Sequence, residues 1–423
     1  MQSADAADKM LLGGAAWSTR GTGALREPPT GPSMKPGLEA DVSRFLRARA
    51  RLGPLEIAFW AAALATIWLL PGRHLILTET AIWGLFALSL DLILGYAGII
   101  SLGHAAFFGV GAYAAGLLAR DEIIVEPALA LLAAGLAAAA LGFATSFLVL
   151  RGSDLTRLMV TLGVASLCYE LANKLSRVTG GADGLQGITI APLFGHFRFD
   201  LFGHTAYVYA LGVLFLLTML ARRIVNSPFG LSLKAIKGNA LRAAAVGIAV
   251  NWRLIAVYTL SAGYAGIAGA LLAQTQAFAS LSMLSIERSA DALLILIIGG
   301  TGYLYGGLLG ALIYRFLQDY LSDLTARYWQ FWIGLVLVMI VMYGRIYGGV
   351  IAALIIALTL WLDLSTMTSF IVTAGIVLAL GLARDVLMSR ISSLEQGVVG
   401  LLRRLWAARK VMPQESADHG GGA

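Results

Sequence analysis

Charge is scarce in this sequence. Only 13% of its 423 residues are Asp, Glu, Lys or Arg, against 58% that are hydrophobic, whereas soluble domains carry about a quarter charged residues. Such a chain lacks the surface chemistry to face water all round. Cysteine is scarcer still. The single Cys168 excludes an intramolecular disulfide and any cysteine-rich metal site, and in its apolar setting it reads as a small buried hydrophobe. No Gly-Lys pair occurs, so the chain carries no P-loop for ATP phosphates. The five histidines (74, 104, 196, 204 and 419) show neither the H-E-x-x-H spacing of a zinc enzyme nor a pairing with cysteine. "LRGSDLT" lacks the G-x-S-x-G elbow of a serine hydrolase. An arginine ladder and a selectivity-filter repeat are also missing. Nothing here points to an enzyme active site, a bound metal or a cofactor. The net charge of +7 comes from scattered arginines without the aromatic-interleaved basic face of a nucleic-acid binder.

What the sequence does have is long apolar runs. Leu92–Ala119, Pro127–Leu150, Leu254–Ile286, Ala292–Tyr314 and Tyr328–Gly344 contain no Asp, Glu, Lys or Arg. Each reaches or approaches the roughly 17 to 25 residues that carry a helix across a bilayer. The expectation is an all-α polytopic membrane protein. Crossings are expected at about 55–70, 75–94, 104–119, 128–150, 155–175, 204–221, 253–273, 287–300, 303–321 and 329–345. Alternating these ten from a cytoplasmic N-terminus places "ARRIVNSPFGLSLKAIKGNALR" and the Arg151 and Arg157 connection inside. "ARDEIIVEP" and "TGGADGLQGITIAPLFGHF" then fall outside. The basic residues sort largely to one side, as the positive-inside tendency requires.

This divides the chain into four parts. Residues 1–52 form a basic N-terminal extension, whose first 38 residues are polar and rich in Gly and Pro and read as disordered. No signal peptide is evident. Residues 53–345 form the transmembrane unit, with a long internal loop at 226–250. Residues 346–383 hold two apolar runs split by Asp363, read as an extra hairpin, and 384–423 a basic cytoplasmic tail.

Two stretches carry most of the functional signal. "GYAGIISLGHAAFFGVGAY", residues 95–113, is too glycine-rich for a plain span, and irregular backbone at membrane depth survives only inside protein or beside a water-filled cavity. Ser101 and His104, three residues apart, could share a helix face directed at a polar path. Asp91, Glu170 and Asp291 are carboxyls in otherwise apolar surroundings, a costly placement that marks functional candidates. In the long loop, Ser227-Pro228 reads as the start of a short helix. Leu233, Ile236, Leu241 and Val246 are available for packing, with Lys234, Lys237 and Arg242 beside them, and Gly247 ends the turn. A short helix lying between two crossings is a natural docking surface for a cytoplasmic partner.

Four blocks occur in order: "LILGYAGIISLGHAAFFGVGAYAAGLL", "VTGGADGLQGI", "FGLSLKAIKGNALRAAAVGI" and "ALLILIIGGTGYLYGGLLGAL". Together they resemble the permease subunit of the branched-chain amino acid ABC importer family, in its M-type form, whose relatives carry urea or short amides. The likeness covers roughly residues 75–345. It implies an inner-membrane subunit with both termini cytoplasmic. Its implied partners are a homologous H-type permease, two cytoplasmic ABC ATPase subunits that hold the ATP and Mg, and a periplasmic solute-binding protein. It implies a translocation path lined by Asp91, Tyr96, Gly98, Ser101, Gly103, His104, Phe107, Tyr113, Gly299, Gly300 and Gly302. A periplasmic loop would contain Gly180, Gly181, Asp183 and Gly184. A coupling segment would use Phe229, Gly230, Lys234, Ile236, Lys237, Arg242 and Gly247. The chain departs from the family pattern at Asp91, where asparagine is common, at Gly307, where proline is usual, and at Gly238, Ala240 and Ala244, where glutamates are expected. A reading from another class is a self-contained secondary transporter or channel with Asp91, Glu170 and His104 as an ion or proton relay. The coupling-helix likeness separates the two.

Overall fold

The computed structural model describes residues 53–361, apart from 194, 198, 201–202 and 325–327, together with 372–373, 375–377 and 379–380. The expected N-terminal extension, most of the second half of the 346–383 hairpin and the basic tail lie outside the described residues. Helices dominate, and the β-structure among the described residues is two isolated bridges, Leu185 with Ala279 and Leu193 with Phe197.

A helix stands at each of the ten expected crossings. They are α1 (Pro54–Leu69), α2 (His74–Ala97), α3 (His104–Arg120), α4 (Pro127–Val149) and α5 (Asp154–Lys174). After the one-turn α6 (Ser176–Thr179) come α7 (His204–Val225), the loop helices α8 (Pro228–Gly238) and α9 (Ala240–Ala245), and α10 (Val250–Gln276). The series continues with α11 (Ile286–Gly299), α12 (Gly306–Leu324), α13 (Trp329–Tyr343) and α14 (Arg345–Trp361). Five helices, those containing α2, α4, α5, α7 and α10, are long and apolar enough to cross a bilayer on their own. At 14 residues, α11 is about 21 Å long and falls short of a hydrocarbon core about 30 Å thick.

Local chemistry sets the helix boundaries. Proline opens α1, α4 and α8, where its missing N–H costs nothing. At α1 the Glu56 carboxylate also accepts from the Gly53 N–H at 2.9 Å. Asp200 accepts from the backbone N–H groups of His204 (3.2 Å) and Thr205 (2.9 Å) at the start of α7. Gly98 ends α2 with φ 76°, and Gly344 (φ 83°) turns the chain between α13 and α14, both in the region that glycine adopts without penalty.

The centre of the bundle is α2. Every residue from Thr80 to Ile93 is buried, and a helix apolar on all faces is one surrounded by others. It packs against α7, α10, α11 and α12. The tightest seam joins α3, α4 and α10 through small residues. A side chain at Gly111 would run into the Gly266 backbone, one at Gly269 into the Phe108 carbonyl, and one at Gly142 into Ala262. This is the close backbone approach by which membrane helices associate, since lipid tails offer no hydrophobic gain for doing so. Hydrogen bonds between spans add to it. Tyr209 donates to the Gln274 amide oxygen (3.2 Å), whose amide nitrogen donates to the Pro127 carbonyl (2.9 Å), and Tyr264 donates to the Leu217 carbonyl (3.1 Å).

Gly269→Leu should therefore destabilise the bundle by about 1–3 kcal/mol or more, the usual cost of overpacking. A clear drop in the apparent melting temperature of the detergent-purified protein is expected. An unchanged melting curve would mean that this seam is loose.

Candidate functional site

The segment between α2 and α3 leaves helical geometry at Gly98 and resumes it at His104. The expectation of Ser101 and His104 on one helix face is thus replaced by a partly buried non-helical loop, in which Ser101 is buried, followed by a helix start. His104 is fully buried, and its Nε2 lies 2.9 Å from the Ser89 hydroxyl and 3.3 Å from the Ser261 hydroxyl. Ser261 in turn donates to the Ser89 carbonyl at 2.5 Å. The imidazole stacks on Phe86, with Phe107 edge-on. This histidine ties α3 to α2 and α10. A side chain at Gly103 would strike the Thr161 carbonyl on α5.

Asp91 is also fully buried. Its Oδ1 accepts the backbone N–H of Gly302 at 2.7 Å, while its Oδ2 has no hydrogen-bond partner. The Ser101 hydroxyl and the Tyr113 hydroxyl are likewise buried without partners. Of the eleven residues expected along a path, Asp91, Tyr96, Ser101, Gly103, His104, Phe107 and Tyr113 are buried within this chain, and Gly98, Gly299, Gly300 and Gly302 are half-buried. No hydrogen bond joins any two of Asp91, His104 and Glu170.

The second expected group is structural in its local role. Gly180, Gly181 and Gly184 all have positive φ. A side chain at Gly180 would collide with the Gly184 carbonyl, and one at Gly184 would meet Phe278 and Ala279. The loop thereby delivers Leu185 to its paired bonds with Ala279, 2.7 and 3.3 Å long. Asp183 lies exposed on the same turn.

The loop segment is an amphipathic surface helix. On α8, Gly230, Leu233 and Ile236 are buried against α2, α7 and α10. Phe229 is half-buried, with the Arg253 guanidinium 5.3 Å above its ring. Lys234 lies over the Tyr96 ring at 5.3 Å, and Lys237 donates from Nζ to the Gly95 carbonyl at 2.7 Å. Both lysines thus reach back to the C-terminal turn of α2, where a cation is favoured by the helix dipole. Asn239 caps α9 by accepting from the Arg242 N–H at 3.0 Å, and Gly247 (φ 88°) ends it. Leu241 and Val246, expected to pack, are instead 84% and 81% exposed.

One surface was marked in the sequence by Glu170 alone. Of the five long spans, α5 is the least buried. Met159, Gly163, Ser166, Glu170 and Asn173 follow one another at steps of three and four and are all exposed, so they share one helix face. A side chain at Gly163 would meet nothing. Lipid cannot satisfy Ser166, Glu170 and Asn173, so this stripe belongs against water or protein. Beside it is a half-open cavity of about 500 Å³ lined by Ser166, Tyr169 and Glu170 of α5 and by Ser282, Ser285 and Glu287 before and within α11. The other cavities described are lined mostly by apolar side chains. Among the described residues no group of His, Cys, Asp and Glu is placed to hold a metal ion.

Residues 73–342 match the family described as "Branched-chain amino acid transport system / permease component". The chain is 27% identical over 269 residues to the high-affinity branched-chain amino acid transport system permease protein LivM of Escherichia coli K12, covering 59% of this chain and 63% of that one. It is 28% identical over 274 residues to the ribose import permease protein RbsC of the same organism, covering 63% and 82% of the two chains. A shorter stretch of 107 residues is 36% identical to the inner membrane ABC transporter permease protein YjfF, covering 24% and 32%. The match thus spans less than two thirds of LivM. No solved structure matches.

In a Cys168→Ser background, single cysteines replacing Ser166 or Glu170 should react with a membrane-impermeant maleimide. One replacing the buried Ala165 should not. Equal protection of all three positions would place the α5 stripe in a dry environment.

Proposed function

The chain belongs to the branched-chain amino acid transport permease family, a set of multi-pass membrane proteins, and from that premise we propose that it is the inner-membrane permease subunit of an ABC importer. It forms, with a homologous permease, the translocation path for branched-chain amino acids or a similar small polar solute. Power comes from two separate cytoplasmic ATPase subunits, which hold ATP and Mg, and a periplasmic binding protein delivers the solute. Both termini lie in the cytoplasm. The relatives named for branched-chain amino acids and for ribose keep the solute class open to both kinds of small polar molecule.

One observation carries this reading. The 228–247 segment lies across one end of the bundle with its apolar face spent on α2, α7 and α10, yet it presents Leu241 and Val246 to solvent beside Arg242. Exposed leucine and valine rimmed by charge are the chemistry of a docking surface. A soluble motor gripping these side chains pushes on α8, and through it on α2.

The path itself follows the α5 stripe. Ser166, Glu170, Asn173 and the adjoining serines supply hydrogen-bond partners for a solute that has left its hydration shell, and a facing permease closes the other side. The buried polar groups of α2 and α3 then hold the wall of the path in place, and Glu170 takes the role that the sequence had given to a file of residues from Asp91 to Tyr113.

Two measurements test this. Tagged protein should copurify with the ATPase subunits and support ATP-dependent uptake in proteoliposomes, and uptake driven by a proton gradient without ATPase subunits would overturn the proposal. Leu241→Asp should leave the melting curve unchanged and cut ATPase recovery by about tenfold or more, the scale of an interface hot spot. Full recovery would move the docking surface elsewhere.

A further inference from the structure

Asp91 is a buried carboxyl that the path along α5 does not use, and its surroundings give it a mechanical task. Its Oδ1 accepts from the Gly302 N–H at 2.7 Å. That contact exists because residue 95 is glycine. A Cβ there would overlap Asp91 Oδ1 and sit 2.6 Å from the Gly302 nitrogen. The carbonyl of the same Gly95 accepts from Lys237 Nζ at 2.7 Å. One turn of α2, Asp91 to Gly95, is therefore held on one side by α8 and on the other by the turn between α11 and α12.

That turn is the tip of a tightly built hairpin. A side chain at Gly299 would collide with the Gly306 carbonyl, one at Gly306 with the Gly300 carbonyl, and one at Gly310 with the Ile295 carbonyl. The two helices are in backbone contact. Gly300 (φ 97°) and Gly302 (φ 80°) give the tip the backbone freedom of glycine. The base of the hairpin is continuous with Ser285 and Glu287 at the α5 cavity.

We propose that Asp91 is a positioning residue, which together with the Lys237–Gly95 bond links the loop helix α8 to the tip of the α11–α12 hairpin, so that movement of α8 is passed to the hairpin and on to the cavity beside α5. The link rests on the importer reading given above, in which α8 is the element pushed by the ATPase. The linking group is an acceptor oxygen on α2, 2.7 Å from the hairpin tip. Its negative charge is not required, so an amide oxygen in the same place serves as well.

The test uses the full complex in proteoliposomes: this chain, its permease partner, both ATPase subunits and the binding protein. Solute taken up per ATP hydrolysed is measured for the wild type, Asp91→Ala and Asp91→Asn. Hydrogen exchange over residues 300–305 is followed with and without ATP and vanadate. In Asp91→Ala the ratio of uptake to hydrolysis should fall roughly tenfold, the scale of one buried hydrogen bond lost, and the nucleotide-dependent change in exchange at the tip should vanish. Asp91→Asn should stay within about twofold of wild type on both counts, which a merely structural loss would not distinguish from alanine. Should Asp91→Ala fail to assemble, Lys237→Met breaks the other joint and should lower the same ratio, with Lys237→Arg restoring it. An unchanged ratio in Asp91→Ala or Lys237→Met, or an Asp91→Asn ratio as low as that of alanine, overturns the link alone. Absence of ATP-driven uptake by the wild type overturns the importer reading and the link with it.

Discussion

In hydrocarbon an amide without a hydrogen-bond partner costs several kcal/mol, so backbone that leaves the helix must be enclosed by protein or water. The whole arrangement answers to that constraint. Two stretches leave helical geometry close to α2, the loop from Gly98 to Gly103 and the turn from Gly300 to Tyr305. Both are folded against it or its neighbours. Gly103 presses on Thr161 and Gly302 bonds to Asp91. A helix buried on every face is needed to shelter two breaks, and α2 is buried all round from Thr80 to Ile93. Of its buried polar side chains, Ser89 meets His104 and Asp91 meets the Gly302 N–H, while the Ser89 carbonyl accepts from Ser261.

The helices were legible because apolar runs and their punctuation are one-dimensional. Ser227-Pro228 begins α8, Gly98 ends α2 and Gly247 ends α9, each at the place its chemistry indicates. Side-chain partners were less legible. Lys237 reads as a charge held out to a partner until α2 is seen to end beneath it. Leu241 and Val246 read as packing residues, since hydrophobicity says nothing about which of several apolar side chains finds a neighbour. Gly95, Gly266 and Gly269 carry meaning only in pairs far apart in the chain. The stripe of Ser166, Glu170 and Asn173 has the right spacing in the sequence, but its exposure depends on α5 standing at the rim of the bundle.

A division of labour follows between the parts of the chain. The glycine-rich stretch from residue 95 to 113 supplies precision through close backbone contacts, and the more polar α5 leaves Ser166, Glu170 and Asn173 exposed. On the proposed importer reading, the groups that meet a solute lie mainly in the second, and choice among solutes can change along α5 and at Ser282–Glu287 while the central scaffold stays as it is.

The shortness of α11 has a bearing on lipids. Stretching or thinning of a bilayer is felt by helices long enough to reach both of its faces, which here are the long spans α2, α4, α5, α7 and α10. A 14-residue helix held within a glycine-packed pair is too short to follow both headgroup layers. Acyl chains of different length would tilt the outer spans and leave that inner piece at its own depth.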